Sequence, residues 1–228
     1  MRGRFEGPAV SSRDARRILA YLLGVFAIAS ACIAGTLPAL GQSTESARQT
    51  PPLAGAALLD ALRRGGYVIY FRHTSTDFGQ NDDRMTGYED CARQRNLTDA
   101  GRAEARAIGA AIRALGIPVG RVLASPFCRT RETAELIFGR ATVSNAVRGG
   151  PAQADDDRYA ELKALLSAPV TGGVDLAIVS HGNPYRAIVG GPYLAEGEAA
   201  VIEPRGKEGF RVVAQIRKDE WPALATAK

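Results

Sequence analysis

The chain has 228 residues, 46% of them hydrophobic and 23% charged, with a formal net charge of +5. It is long and apolar enough to bury one substantial core, which excludes disorder throughout. Arg2, Arg4, Arg13, Arg16 and Arg17 against Glu6 and Asp14 supply +3 of that charge, so the remainder is near neutral and lacks the basic stripe that binding a nucleic-acid backbone requires.

Residues 18–44 carry no charge and include Ile18-Leu19-Ala20-Tyr21-Leu22-Leu23 and Val25-Phe26-Ala27-Ile28 before small residues take over. A basic start, an apolar stretch and small residues at Ala39 and Gly41 predict a signal peptide over residues 1–41, cleaved before Gln42. Export would deliver the protein to the periplasm or beyond, with no stable membrane insertion after cleavage. An uncleaved anchor is the alternative, since a span needs only about 20 residues; lipid attachment at Cys32 is a third reading. Residues 42–52 are polar and end in Pro51-Pro52, which reads as a linker to a folded domain over residues 53–228.

Within that domain, Leu58, Leu59 and Leu62 have helical spacing, and Gly65-Gly66 supplies a stop. Tyr67-Val68-Ile69-Tyr70-Phe71 follows as a continuous β-branched and aromatic run, the pattern of a strand covered on both faces. Thr98 is placed to cap a helix whose Ala105, Ile108, Ile112 and Leu115 recur at steps of three and four. Val122-Leu123-Ala124 reads as a short strand, residues 131–138 as a helix, residues 159–166 as another, residues 174–179 as a second buried strand, and residues 199–202 as a last strand. Alternation at this spacing predicts an α/β domain with a mainly parallel central sheet and helices on both faces. Without Cys32, Cys91 and Cys128 are left as an even pair in a chain bound for an oxidising compartment, which predicts a disulfide, with two buried free thiols as the alternative.

The chain contains two histidines, and each directly follows one of the two strongest strands, in Phe71-Arg72-His73 and Val179-Ser180-His181. Ligands gather beyond the carboxyl ends of strands in open α/β sheets, so neighbouring strands would bring both imidazoles to one crevice. Arg72 precedes the first histidine, and Arg129 follows the third strand. Guanidinium forks suit phosphate oxygens. A neutral imidazole held through its other nitrogen is able to attack phosphorus while the arginines stabilise the transferring group. That chemistry calls for neither metal nor cofactor.

At these residues the sequence resembles the histidine phosphatase superfamily, in its phosphoglycerate mutase-like branch. Arg72-His73-Thr74 resembles the Arg-His-Gly signature, and residues 125–134 resemble its Ser-Pro-hydrophobic-x-Arg-Ala-x-x-Thr-Ala segment. Ser180-His181-Gly182-Asn183 resembles its second-histidine motif, and Leu97-Thr98-Asp99-Ala100-Gly101 its helix start. The agreement runs from about Tyr67 to Val189. The resemblance implies that His73 becomes phosphohistidine while Arg72, Arg129 and His181 bind the phosphoryl group, with Asn183 and Thr74 beside the substrate. Thr74 departs from the family's glycine, its hydroxyl being either a phosphate donor or a filler of space.

No carboxylate that would protonate the leaving group stands out between the arginine segment and His181. Asp77 is close to the nucleophile in sequence, and Asp155, Asp156 and Asp157 lie in a loop. Glu196 and Glu198 precede the last strand; if it runs antiparallel, they stand at the active-site end. The activity implied is hydrolysis of phosphate monoesters or anhydrides, on a phosphorylated small molecule or an exported phospho-substrate. A phosphomutase and a noncatalytic phospho-ligand binding domain are the alternatives. Specificity is expected in residues 74–89 and 143–157; nothing in the sequence specifies an oligomeric state.

Overall fold

The computed structural model describes residues 52–149 and 158–226. The leader, most of the linker, Cys32 and Asp155, Asp156 and Asp157 lie outside the described residues. Six strands form one sheet: β1 (Val68–Arg72), β2 (Val119–Ala124), β3 (Thr142–Val143), β4 (Asp175–Ser180), β5 (Ala199–Pro204) and β6 (Phe210–Ile216). Their order is β3-β2-β4-β1-β5-β6. The first four positions are joined by parallel pairings, while β5 is antiparallel to both β1 and β6. The domain is therefore α/β with a mostly parallel sheet, as the alternation of elements predicts.

Five α-helices among the described residues cover the faces. α1 (Gly55–Arg64), α2 (Asp99–Ala114) and α3 (Cys128–Phe138) pack on one, and α4 (Ala160–Ser167) and α5 (Gly182–Val189) on the other. Strand alternation divides the side chains: Ile69, Phe71, Ala177 and Val179 join the α1–α3 side, Val68, Tyr70, Leu176 and Ile178 the α4–α5 side. Both halves are buried, which is why β1 and β4 read as unbroken apolar runs rather than alternating ones. No helix among the described residues is long and apolar enough to cross a membrane.

Helix α2 fixes the segment that follows β1. Thr98 caps it, its Oγ1 accepting from the Gly101 amide at 3.0 Å, and Thr98 N donates to Ser75 O. Gly101 lies so close that a Cβ there would stand 2.1 Å from Ser75 O, so only glycine admits this approach. Helix α3 begins at Cys128 rather than near Arg131, and the reason is a contact from outside the helix. Phe127, its N-cap residue, offers no side-chain cap; the Cys128 amide donates instead to Gln94 Oε1 at 3.0 Å. A capping group 34 residues away leaves no local signature in the sequence.

Cys91 and Cys128 form a disulfide with Cα atoms 5.7 Å apart. It joins the segment between β1 and α2 to the first turn of α3. The 37-residue separation corresponds in the loop-entropy model to roughly 4 kcal/mol of stability. Peptide mapping of protein purified without reductant should recover the two cysteines as one linked species. Chemical unfolding after reduction should show a loss of that order.

Candidate active site

Two main-chain bonds beyond the strand ends bring the two histidines together. His73 N donates to Ser180 O, and Ser125 N donates to Val179 O, each at 3.0 Å. With Phe71 paired to Val179 and Arg72 to Ser180, His73 and His181 emerge at equivalent positions with ring centroids 5.6 Å apart. They line one cavity of about 330 Å³ at the carboxyl ends of β1, β2 and β4, together with Arg72 and Arg129. Asn183 lines it too, its amide oxygen accepting from the Tyr193 hydroxyl.

The His73 ring is 1% exposed. Its Nδ1 lies 2.9 Å from Thr74 O; because a carbonyl only accepts, Nδ1 carries the proton and Nε2 the free lone pair. Burial holds the His73 pKa down to about 3; the Thr74 carbonyl opposes this, and the Arg129, Arg72 and Arg95 charges reinforce it. His181 is depressed well below its ordinary value, again mainly by burial, with His73 and the arginines adding to it. Its Nε2 lies 2.8 Å from Ser125 Oγ, Phe127 packs edge-on against the ring at 5.0 Å, and a Cβ on Gly149 would sit 2.4 Å from its Cδ2. Both imidazoles are thus neutral and tightly walled.

The arginines are held by only some of their donors. Arg72 gives Nη1 to Leu194 O at 2.8 Å and reaches Glu196 Oε1 at 3.5 Å. Arg129 gives Nη1 to Asp82 Oδ1 at 2.9 Å and to Arg95 O at 3.3 Å, with its guanidinium 4.5 Å from the Phe127 ring centre. A third arginine, Arg95, lines the same cavity. Each of the three keeps a buried Nε–H without a hydrogen-bond partner among the described residues. A buried donor left unpaired costs about 1–3 kcal/mol.

Thr74 is buried outside the cavity lining, its hydroxyl 3.3 Å from Thr133 Oγ1. Glu196 stands on the Nδ1 side of His73, 3.8 Å away. It accepts from Thr76 Oγ1 at 2.6 Å and Thr76 N at 3.1 Å. Glu198 accepts from Ala195 N, and neither glutamate lines the cavity. Asp77 is exposed and caps the Gly79 amide. Among the described residues the carboxylates that do line it are Asp82 and Asp83. Sequence reasoning singled out neither these nor Arg95; the 74–89 segment expected to govern specificity contains both aspartates, but Arg95 has no motif around it. Among the described residues no group of three or more His, Cys, Asp or Glu side chains is arranged to hold a metal ion.

The unfolded imidazole titrates near 6.5, while the folded His73 pKa is about 3. Between those values the unfolded chain binds a proton that the native site refuses. The stabilisation is therefore complete above about pH 6.5 and falls as pH drops toward 3, with His181 acting in the same sense. NMR of labelled histidines should show neither ring titrating between about pH 5 and 8, and denaturant midpoints should fall on acidification below 6.5.

Residues 68–149 match the family model described as Histidine phosphatase superfamily (branch 1). No curated protein matches the chain. Among solved structures, it is similar to a protein histidine phosphatase SixA complexed with tungstate, at 20% identity and TM-score 0.47, covering 67% of this chain and 97% of that one. It is also similar to YhfR of Bacillus stearothermophilus, at 20% identity and TM-score 0.45, covering 65% and 95%. A third likeness is to a phosphoserine phosphatase from Entamoeba histolytica in complex with 3-phosphoglyceric acid, at 14% identity and TM-score 0.46, covering 65% and 95%.

Proposed function

With residues 68–149 matching the histidine phosphatase superfamily, a match that supports phosphatase or mutase activity generally, we propose that the chain is an exported, metal-independent phosphatase that hydrolyses phosphate monoesters or anhydrides through a phosphohistidine on His73. The observation that carries this reading is the convergence of a neutral His73, His181 and partly unsatisfied arginines in one cavity. In the proposed reaction His73 Nε2 attacks phosphorus while Nδ1–H stays on the Thr74 carbonyl, so the ring need not lose a proton before attack. Arg72, Arg129 and His181 surround the equatorial oxygens and stabilise charge as it redistributes. Asn183, at the rim beside Tyr193, contacts the remainder of the substrate, a phosphorylated small molecule or exported phospho-substrate.

His73→Ala should abolish turnover, because the other histidine of the chain, His181, is committed to the phosphoryl oxygens. Arg129→Ala should cost on the order of 3 kcal/mol, roughly a hundredfold in rate, and chelators should have no effect. After alkaline denaturation, mass spectrometry of the wild type should find one phosphoryl group on the peptide containing His73. Undiminished activity in His73→Ala, or activity lost to chelation and restored by metal, would overturn the reading; saturable phosphate binding without turnover would identify a binding domain instead.

Export rests on the charge-free stretch over residues 18–44 behind the five leading arginines, and the periplasm or exterior is the compartment that suits the Cys91–Cys128 bridge. N-terminal sequencing of protein from an exporting host should begin at Gln42. An intact Met1 terminus in the membrane fraction would establish the anchored form.

A further inference from the structure

Hydrolysis through a phosphohistidine needs a proton delivered to the departing oxygen and, in the second half, a proton taken from the attacking water. We propose that Asp82 is the group that does both, an assignment that rests on the phosphatase reading above. Glu196 is engaged elsewhere: Thr76 occupies both of its oxygens, and Arg72 approaches one of them. It also faces the nitrogen of His73 that carries the proton, not the one that attacks. Glu198 is folded back on the Ala195 amide.

Asp82 lines the cavity alongside His73 and Arg129. Its Oδ1 accepts from Arg129 Nη1 and from the Arg95 amide, both at 2.9 Å, while Oδ2 has no hydrogen-bond partner among the described residues. The side chain is 31% exposed and lines the cavity, so the carboxyl is fixed at one oxygen while the other is left unpartnered. The loop that carries it is braced. Met85 N donates to Asp82 O at 3.2 Å, Asp77 N to Asn96 O at 3.0 Å, and Asn96 N to Gln80 Oε1 at 3.0 Å. Neighbouring Asp83 is exposed, and although its amide donates to Asn81 Oδ1 at 3.1 Å, its carboxylate has no hydrogen-bond partner among the described residues.

Arg129 is the guanidinium that a bound phosphoryl group would share. In the first step the Nε2–P bond forms as the ester P–O bond breaks, the Asp82 proton passes to the leaving oxygen, and the alcohol departs. In the second, water attacks phosphorus and gives a proton to the Asp82 carboxylate as the N–P bond breaks. Phosphate and neutral His73 are left, and Asp82 has regained its proton.

The test is single-turnover transfer to His73 across a series of phosphate esters, from dinitrophenyl to simple alkyl leaving groups, in the full mature protein with the disulfide intact. Asp82→Asn should slow alkyl esters by 10² to 10⁴-fold but the dinitrophenyl ester by less than about tenfold, and phosphohistidine should accumulate because the second step is also slowed. Glu196→Gln and Asp83→Asn, run in parallel, should show losses that do not depend on the leaving group. Equal loss across the series in Asp82→Asn, no loss at all, or a leaving-group-dependent loss in Glu196→Gln instead would overturn the assignment. A wild type that forms no phosphohistidine with any ester would overturn the phosphatase reading itself, an outcome separate from any behaviour of the Asp82 variant.

Discussion

Two main-chain hydrogen bonds, His73 N to Ser180 O and Ser125 N to Val179 O, hold the ends of three parallel strands in step. A slip of one residue between β1 and β4 would turn His73 or His181 to the other face of the sheet. It would also move Phe71 and Val179 out of the core they share with Ile137 and Trp221. The burial that drives folding therefore also sets the spacing of the imidazoles. Tyr70 adds a side-chain lock from the opposite face, its hydroxyl donating to His181 O at 2.8 Å.

Because the same burial removes water, it dictates the charge state of the site. Both histidines are held neutral chiefly by desolvation, and three neighbouring arginines push in the same direction. Carbonyls and carboxylates, namely Leu194 O, Arg95 O, Glu196 and Asp82, hold the guanidiniums in return. At the far end of β4, Asp175 meets the opposite consequence. Burial raises its pKa to about 7, against a hydrogen bond from the Tyr67 amide, and its Oδ2 lacks a partner among the described residues. One cause thus keeps bases unprotonated at the cavity and favours a protonated acid at the other end of the same strand.

The parts legible in the sequence were those written in local periodicity. β1 and β4 announced themselves as apolar runs, α2 through Thr98 and its spaced aliphatic residues, and the two histidines by their places after strands. Strand β3 pairs through only two residues, too short to leave a pattern. The first turn of helix α3 leaves no local signal because it is completed by Gln94. Asp82 and Arg95 reach the cavity from a polar segment whose course is set by contacts with residues far along the chain. Glu196 lies at the His73 end of the sheet because β5 runs antiparallel to β1, but which side of the imidazole it faces depends on its bonds to Thr76.

That polar segment shows how a long loop comes to form a rigid wall. Four of the contacts that order it converge on the first turn of α3: the Cys91–Cys128 bridge, Gln94 to the Cys128 amide, Asp82 to Arg129, and Glu89 to Arg131 at 2.9 Å. The helix lacks a cap of its own and the loop lacks a core of its own, so each is ordered by the other. Closing so long a loop carries an entropic cost in every round of folding, and the covalent bridge removes much of it from the unfolded chain. Arg129 and Asp82 are consequently held in place before any ligand arrives. In the proposed reaction the pocket would gain from this, since donors fixed in advance need no reorganisation as charge develops on the transferring group.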